Sequence, residues 1–165
     1  MNDQQRAAIE DIAPMFNYKA GALYWNVRPS RAVKIGDRAG SVDSSGYRVV
    51  RVKGRVFREH QIIYFIIYGC RPEAIDHING DRTDNRIENL RAANKSTNGM
   101  NSKTRSNNTS GVKGVSWKAE LNKWFAQLKA NGKYVWSAYF NTLEEAATAI
   151  AAAREQHHGE FANHG

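Results

Sequence analysis

Cysteine is nearly missing from this chain: Cys70 is the only one in 165 residues. That excludes an intramolecular disulfide and any cysteine-built zinc site, and a reduced, cytoplasmic setting follows as the default expectation. Long apolar runs are missing too. No segment approaches the ~18 consecutive apolar residues of a membrane-spanning helix, and none forms a basic amphipathic helix suited to a membrane surface. The polar residues 1–5 lack the pattern of a secretion signal. Acidic side chains are in the minority, 16 Asp and Glu against 24 Lys and Arg, for a net charge of +8 and a pI near 9.7. The balance points to an anionic partner, with nucleic acid first.

The basic residues fall in two clusters. Residues 28–58 carry nine Lys and Arg against Asp37 and Asp43, and residues 91–133 carry nine more against Glu120 alone. Between them runs Asp76-His77-Ile78-Asn79-Gly80-Asp81, followed by Asn85, Asn89 and Asn98. A carboxylate is a hard oxygen ligand for a divalent cation. An imidazole titrates near neutrality and can take a proton from water. Asn89 and Asn98 add carbonyl oxygens, one to hold the imidazole and one to bind the metal. Asp and His side by side are a useful pair for phosphodiester chemistry.

The longer string resembles the HNH nucleases: the stretch from Asp76 to Asp81, then Asp84-Asn85-Arg86, Glu88-Asn89-Leu90-Arg91 and Asn98. The likeness is to phage and intron-type homing endonucleases in which the last His of the motif is Asn. It covers residues 60–100. It implies His77 as the general base, Asn89 as the residue that holds the catalytic loop, and Asp76 with Asn98 as ligands of one magnesium or manganese ion. It also implies two antiparallel strands (residues 75–78 and 90–93) and a helix (95–101) around that metal. Some members are braced by a zinc ribbon, which one cysteine cannot build. His60, ahead of the motif, reads first as a packed structural histidine and second as a phosphate contact.

Around this centre the pattern predicts a short helix over residues 4–16, with Ile9, Ile12 and Phe16 on one face and Pro14 against it. Residues 17–58 read as a small β-meander, with a strand at 47–52 and a basic loop at 28–40 on phosphates. Arg51, Lys53 and Arg55 are expected on DNA. A helix follows at 60–68, ended by Gly69 and Pro72. Residues 99–110 have one apolar side chain and read as a linker, with Lys103 and Arg105 tracking the DNA backbone.

From Gly111 the pattern becomes three alternating segments, with Asn131-Gly132 as a hairpin turn, and then a helix opened by the capping box Thr142 to Glu145. This part, residues 110–162, resembles the Apetala/ethylene-response-factor DNA-binding domain. The likeness rests on Gly111-Val112-Lys113-Gly114-Val115, Lys123-Trp124-Phe125-Ala126-Gln127-Leu128-Lys129, Val135-Trp136 and Thr142-Leu143-Glu144-Glu145-Ala146-Ala147. In that family the sheet lies in the major groove. Strand parity puts Val115, Trp117, Trp124, Ala126 and Leu128 against the helix. It puts Ser116, Lys118, Phe125, Gln127, Lys129, Tyr134 and Trp136 on the DNA face. Several of these positions are Arg in the family, so its target sequence does not carry over. His157 and His158 read as capping the helix end.

The resulting expectation is an α+β chain: a β-meander plus ββα-metal core in residues 1–101, a linker at 102–110, and a three-stranded sheet packed on one helix at 111–163. Its expected function is that of a metal-dependent homing-type DNA endonuclease, monomeric, cytoplasmic in a phage-infected or bacterial cell, and nicking one strand. The alternative is a DNA-binding protein whose nuclease fold has decayed to a clamp, with RNA binding the weaker third.

Overall fold

The computed structural model describes residues 9–102, 104 and 106–165, without the Lys95 side chain. The backbone-tracking roles expected of Lys103 and Arg105, and the start of the expected first helix, lie outside the described residues. Two compact units divide the chain, with the boundary between Ala93 and Asn94.

In the first unit a helical stretch at residues 9–12 runs into a 3-10 turn, Ala13–Met15. Phe16 then opens a strand instead of closing a helix, because Pro14 removes a helical donor. Strands β1 (Phe16–Lys19) and β2 (Ala22–Trp25) form one hairpin. Strands β3 (Ser41–Val42), β4 (Arg48–Val52) and β5 (Arg55–Arg58) form a separate sheet. The expected single meander is therefore two small sheets. Residues 28–40 return along β2 through Ala39 N–H to Leu23 O and Trp25 N–H to Asp37 O, so their backbone is held and Ala39 is buried.

Helix α1 (Glu59–Tyr68) buries Ile62 and Ile63 in the core with Leu23, Val50 and Phe57. Gly69 stops it in the left-handed conformation and donates to Phe65 O. Strands β6 (Ala74–His77) and β7 (Leu90–Ala93) pair antiparallel as the motif predicts.

The second unit begins with α2 (Lys95–Met100), opened by a capping box of Asn94 and Thr97. Six residues make a marginal helix, and the unit holds it from both ends. Ser96 Oγ accepts from Asn131 N–H. Lys113 Nζ donates to Met100 O and Ser102 O, and Asn163 Nδ2 to Asn101 O. Met100 and Asn101 are buried, so the start of the expected linker is packed, and the helix expected in the first domain belongs to the second unit.

Strands β8 (Val115–Lys118), β9 (Lys123–Ala130) and β10 (Lys133–Phe140) form a sheet in the order β10-β9-β8. Helix α3 (Leu143–His158) packs on it, capped by Thr142 and Glu145 as expected. Asn131 and Gly132, at φ 51° and 77°, form the tight turn that Asn-Gly favours. The inner stripe of α3 also buries Arg154 and His158. Arg154 Nη2 donates to Lys113 O, and His158 Nε2 bonds Lys129 O of β9. His158 therefore ties helix to sheet, where the sequence suggested a helix-end cap.

The register corrects one assignment. Tyr134 pairs with Lys129 but Trp136 pairs with Leu128, so Val135 is an extra residue in β10. A bulge shifts every later side chain to the other face. Trp136 consequently packs on the helix-side core, not on the outer face, and Ser137 and Tyr139 take its place opposite Gln127 and Phe125.

Candidate active site

Asp76 and His77 end β6 opposite Arg91 and Leu90 of β7. Both are buried, at 4% and 5% exposure. Asp76 Oδ2 accepts from Arg91 Nε at 2.9 Å and Nη2 at 2.7 Å, a charge-assisted pair that fixes the carboxylate.

Beyond His77 the chain makes a polar excursion held by its own side chains. Asn89 Oδ1 accepts from Asn79 N–H, and Asn89 Nδ2 donates to Asn79 Oδ1 and to Asp84 O, all at 2.8–3.0 Å. Asn79 Oδ1 also accepts from Asp81 N–H, and Asp81 Oδ1 from Thr83 N–H. Hydrogen bonds from Arg86 pull the Asp84 carboxyl down to about 2, and those from Thr83 lower that of Asp81. Both stay ionised at neutral pH and fold the loop.

The amide that holds the imidazole is that of Asn85, not Asn89. Asn85 Oδ1 lies 2.9 Å from His77 Nε2. Asn85 Nδ2 donates to Glu59 Oε2 at 2.9 Å, and Glu59 is fully buried. Arg48 Nε donates to Glu59 Oε2 at 2.8 Å and Leu23 N–H to Oε1 at 3.0 Å. Asn85 stands within the motif string, so its place was visible in the sequence and its role was not. Glu59 gave no signal beyond opening a helix.

Two more rings flank the imidazole. His60 meets His77 edge-on at 4.9 Å between ring centres. Burial, then the charges of His77 and Arg58, pull His60 down to about 3, so it is neutral and packed, against a phosphate contact. Tyr47 lies 6.2 Å from His77, ring to ring, with the Arg58 and Arg82 guanidiniums 4.1 and 4.8 Å from its centre. Arg58 and Arg82 are exposed, and composition alone did not separate them from other arginines. Arg51, Lys53 and Arg55 are exposed on the β4–β5 hairpin.

Asn98 is exposed on α2 of the second unit. Among the described residues no three His, Cys, Asp or Glu side chains gather as a metal cluster. On the outer face of the second unit's sheet, Ser116, Phe125 and Tyr139 share a row, next to Gln127 with Ser137 and Lys129 with Tyr134. Lys129 Nζ lies 4.3 Å from the Tyr134 ring centre and Lys118 Nζ 5.6 Å from that of Phe125.

Comparison with known proteins agrees with the chemistry of the hairpin. An HNH endonuclease family model matches residues 58–100. Protein 3.8 of Escherichia phage T7 is 39% identical over 107 residues, which cover 64% of this chain and 88% of that protein. No solved structure matches. Among the described residues no helix is long and apolar enough to cross a membrane.

Proposed function

The chain belongs to the family of phage T7 Protein 3.8 and carries an HNH endonuclease domain, and from that membership we propose a metal-dependent, site-specific DNA endonuclease of homing type. The observation that carries the reading is the imidazole itself: His77 is buried beside an ion-paired Asp76, with one ring nitrogen held by Asn85. A histidine fixed this way has a set orientation, the first requirement of a general base.

The donor chemistry fits a hard divalent cation. A carboxylate is a hard oxygen donor of the kind such ions take, and Asp76 stands at the end of β6 directly before His77. One carboxylate plus substrate phosphate oxygens is a usual magnesium set. Asp76 would hold magnesium or manganese, which when bound offsets charge on the scissile phosphate and the leaving 3′ oxygen. His77 takes a proton from the attacking water, and Asn89 keeps the loop in shape. Arg58 and Arg82, with Arg51, Lys53 and Arg55, meet the DNA backbone.

The second unit is read as a duplex-binding module of the Apetala/ethylene-response-factor kind. Its support is the three-stranded antiparallel sheet backed by one helix, with aromatic, amide and lysine side chains on the open face. The reading set is Ser116, Lys118, Phe125, Gln127, Lys129, Tyr134, Ser137 and Tyr139, without Trp136. Tyr139→Ala weakens target-site binding about tenfold, or ~1.4 kcal/mol, in a gel-shift titration. Trp136→Ala lowers the denaturation midpoint instead. The reverse pattern would restore the unbulged register.

Purified protein on supercoiled plasmid carrying one target site tests the function. With magnesium, nicked circles accumulate first, at a rate linear in protein, as expected of a cytoplasmic monomer with one site. Linear product without a nicked intermediate means a pair of active sites. Binding without cleavage in any divalent ion establishes a decayed nuclease.

A further inference from the structure

We propose that Asn85 and Glu59 are positioning residues that fix the tautomer of His77, placing the ring proton on Nε2 and the lone pair on Nδ1. The proposal rests on His77 as general base, and extends it inward to groups that never touch DNA.

Glu59 accepts from three donors: Leu23 N–H, Arg48 Nε and Asn85 Nδ2. Arg48 is itself fixed, since its Nη2 donates to Ala39 O and Gly40 O. Glu59 opens α1, where the helix dipole also favours a negative group. A carboxylate accepts only, so the Asn85 amide has one orientation: NH2 toward Glu59, carbonyl toward His77. A carbonyl in turn cannot donate, so His77 Nε2 carries the proton. Two successive choices that side-chain chemistry usually leaves open, the amide orientation and the ring tautomer, are closed by one buried charge.

This arrangement suits a base that must change its charge during turnover. When Nδ1 takes the proton, the water O–H bond breaks and the oxygen's electron pair forms the new bond to phosphorus. The bond from phosphorus to the 3′ oxygen breaks, and that oxygen is protonated from solvent. The imidazolium then carries protons on both nitrogens, and Asn85 Oδ1 still accepts from Nε2. Asn85 does not have to turn in either state. An amide between Glu59 and the ring also passes on orientation without setting a full charge against the imidazole.

The test uses full-length protein with 15N-labelled histidine, read by long-range 1H–15N correlations, which distinguish the tautomers directly. The chain has five histidines, and His77 is assigned by its disappearance in His77→Gln. The neutral ring is expected as the Nε2–H tautomer in wild type, without DNA or metal. Asn85→Ala is expected to mix the tautomers and lower turnover about 10- to 100-fold, the range for partners that orient a working histidine, with KM for DNA unchanged. An Nδ1–H tautomer in wild type overturns the proposal, whether or not the variant folds. So does a folded Asn85→Ala that keeps turnover, or one that loses only KM. Absence of cleavage with the tautomer as stated overturns the nuclease reading and leaves the relay standing.

Discussion

Replacing His77 by alanine lowers DNA cleavage about 100- to 10,000-fold, the contribution of a positioned general base, and leaves DNA affinity nearly unchanged. The split follows from where the residue sits. His77 is 5% exposed at the end of β6, too buried to supply much contact area to a duplex. The exposed cations, among them Arg58 and Arg82 of the same unit and Lys129 of the second unit's sheet, remain in the variant. In the proposed reading these cations contact phosphates, and such contacts set affinity and its salt dependence. The substitution also leaves Asn85 Oδ1 without its ring partner, which costs stability on the order of 1–3 kcal/mol. Cleavage is therefore measured on single turnovers well below the denaturation midpoint, with affinity measured in parallel. Cleavage at the wild-type rate would remove His77 from the mechanism. A loss of affinity matching the loss of rate would make it a DNA contact.

The part of this site that was legible in the sequence is local. The limits of β7 and the capping box of α3 follow from patterns of a few residues, and Asn131-Gly132 names its own turn. What escaped depends on partners distant along the chain. Glu59 and Asn85 are 26 residues apart and bond directly, and nothing in an apolar helix announces that its first carboxylate is buried. The bulge at Val135 escaped for another reason. Alternation predicts faces only while pairing is regular, and one extra residue moved Trp136 inward and Tyr139 outward. The allegiance of α2 also escaped, since Asn163, which holds its end together with Lys113, lies about fifty residues past the segment that looked like a linker.

Glu59→Leu destabilises the protein by about 3–5 kcal/mol, the cost of stripping one partner from a buried ion pair. Glu59 has no exposed surface, and the Arg48 side chain keeps 16% of its own. Removing the carboxylate leaves Arg48 Nε, Leu23 N–H and Asn85 Nδ2 without the acceptor they share. Leucine supplies apolar volume but no acceptor. The residual exposure of Arg48 lets water reach part of its guanidinium, which places the expectation toward the lower end. Urea denaturation reads it as a fall in midpoint at constant slope. Adding Arg48→Met recovers part of the loss, because an apolar pair costs less than a buried charge left alone. The double-mutant cycle then gives the coupling between the two. A single Glu59→Leu loss below about 1 kcal/mol, the range of exposed pairs, would mean that Arg48 swings to solvent and that Glu59 anchors nothing. A large loss with no coupling to Arg48 would instead put the weight on Leu23 N–H and Asn85, and Asn85 would then hold Glu59 as much as Glu59 holds Asn85.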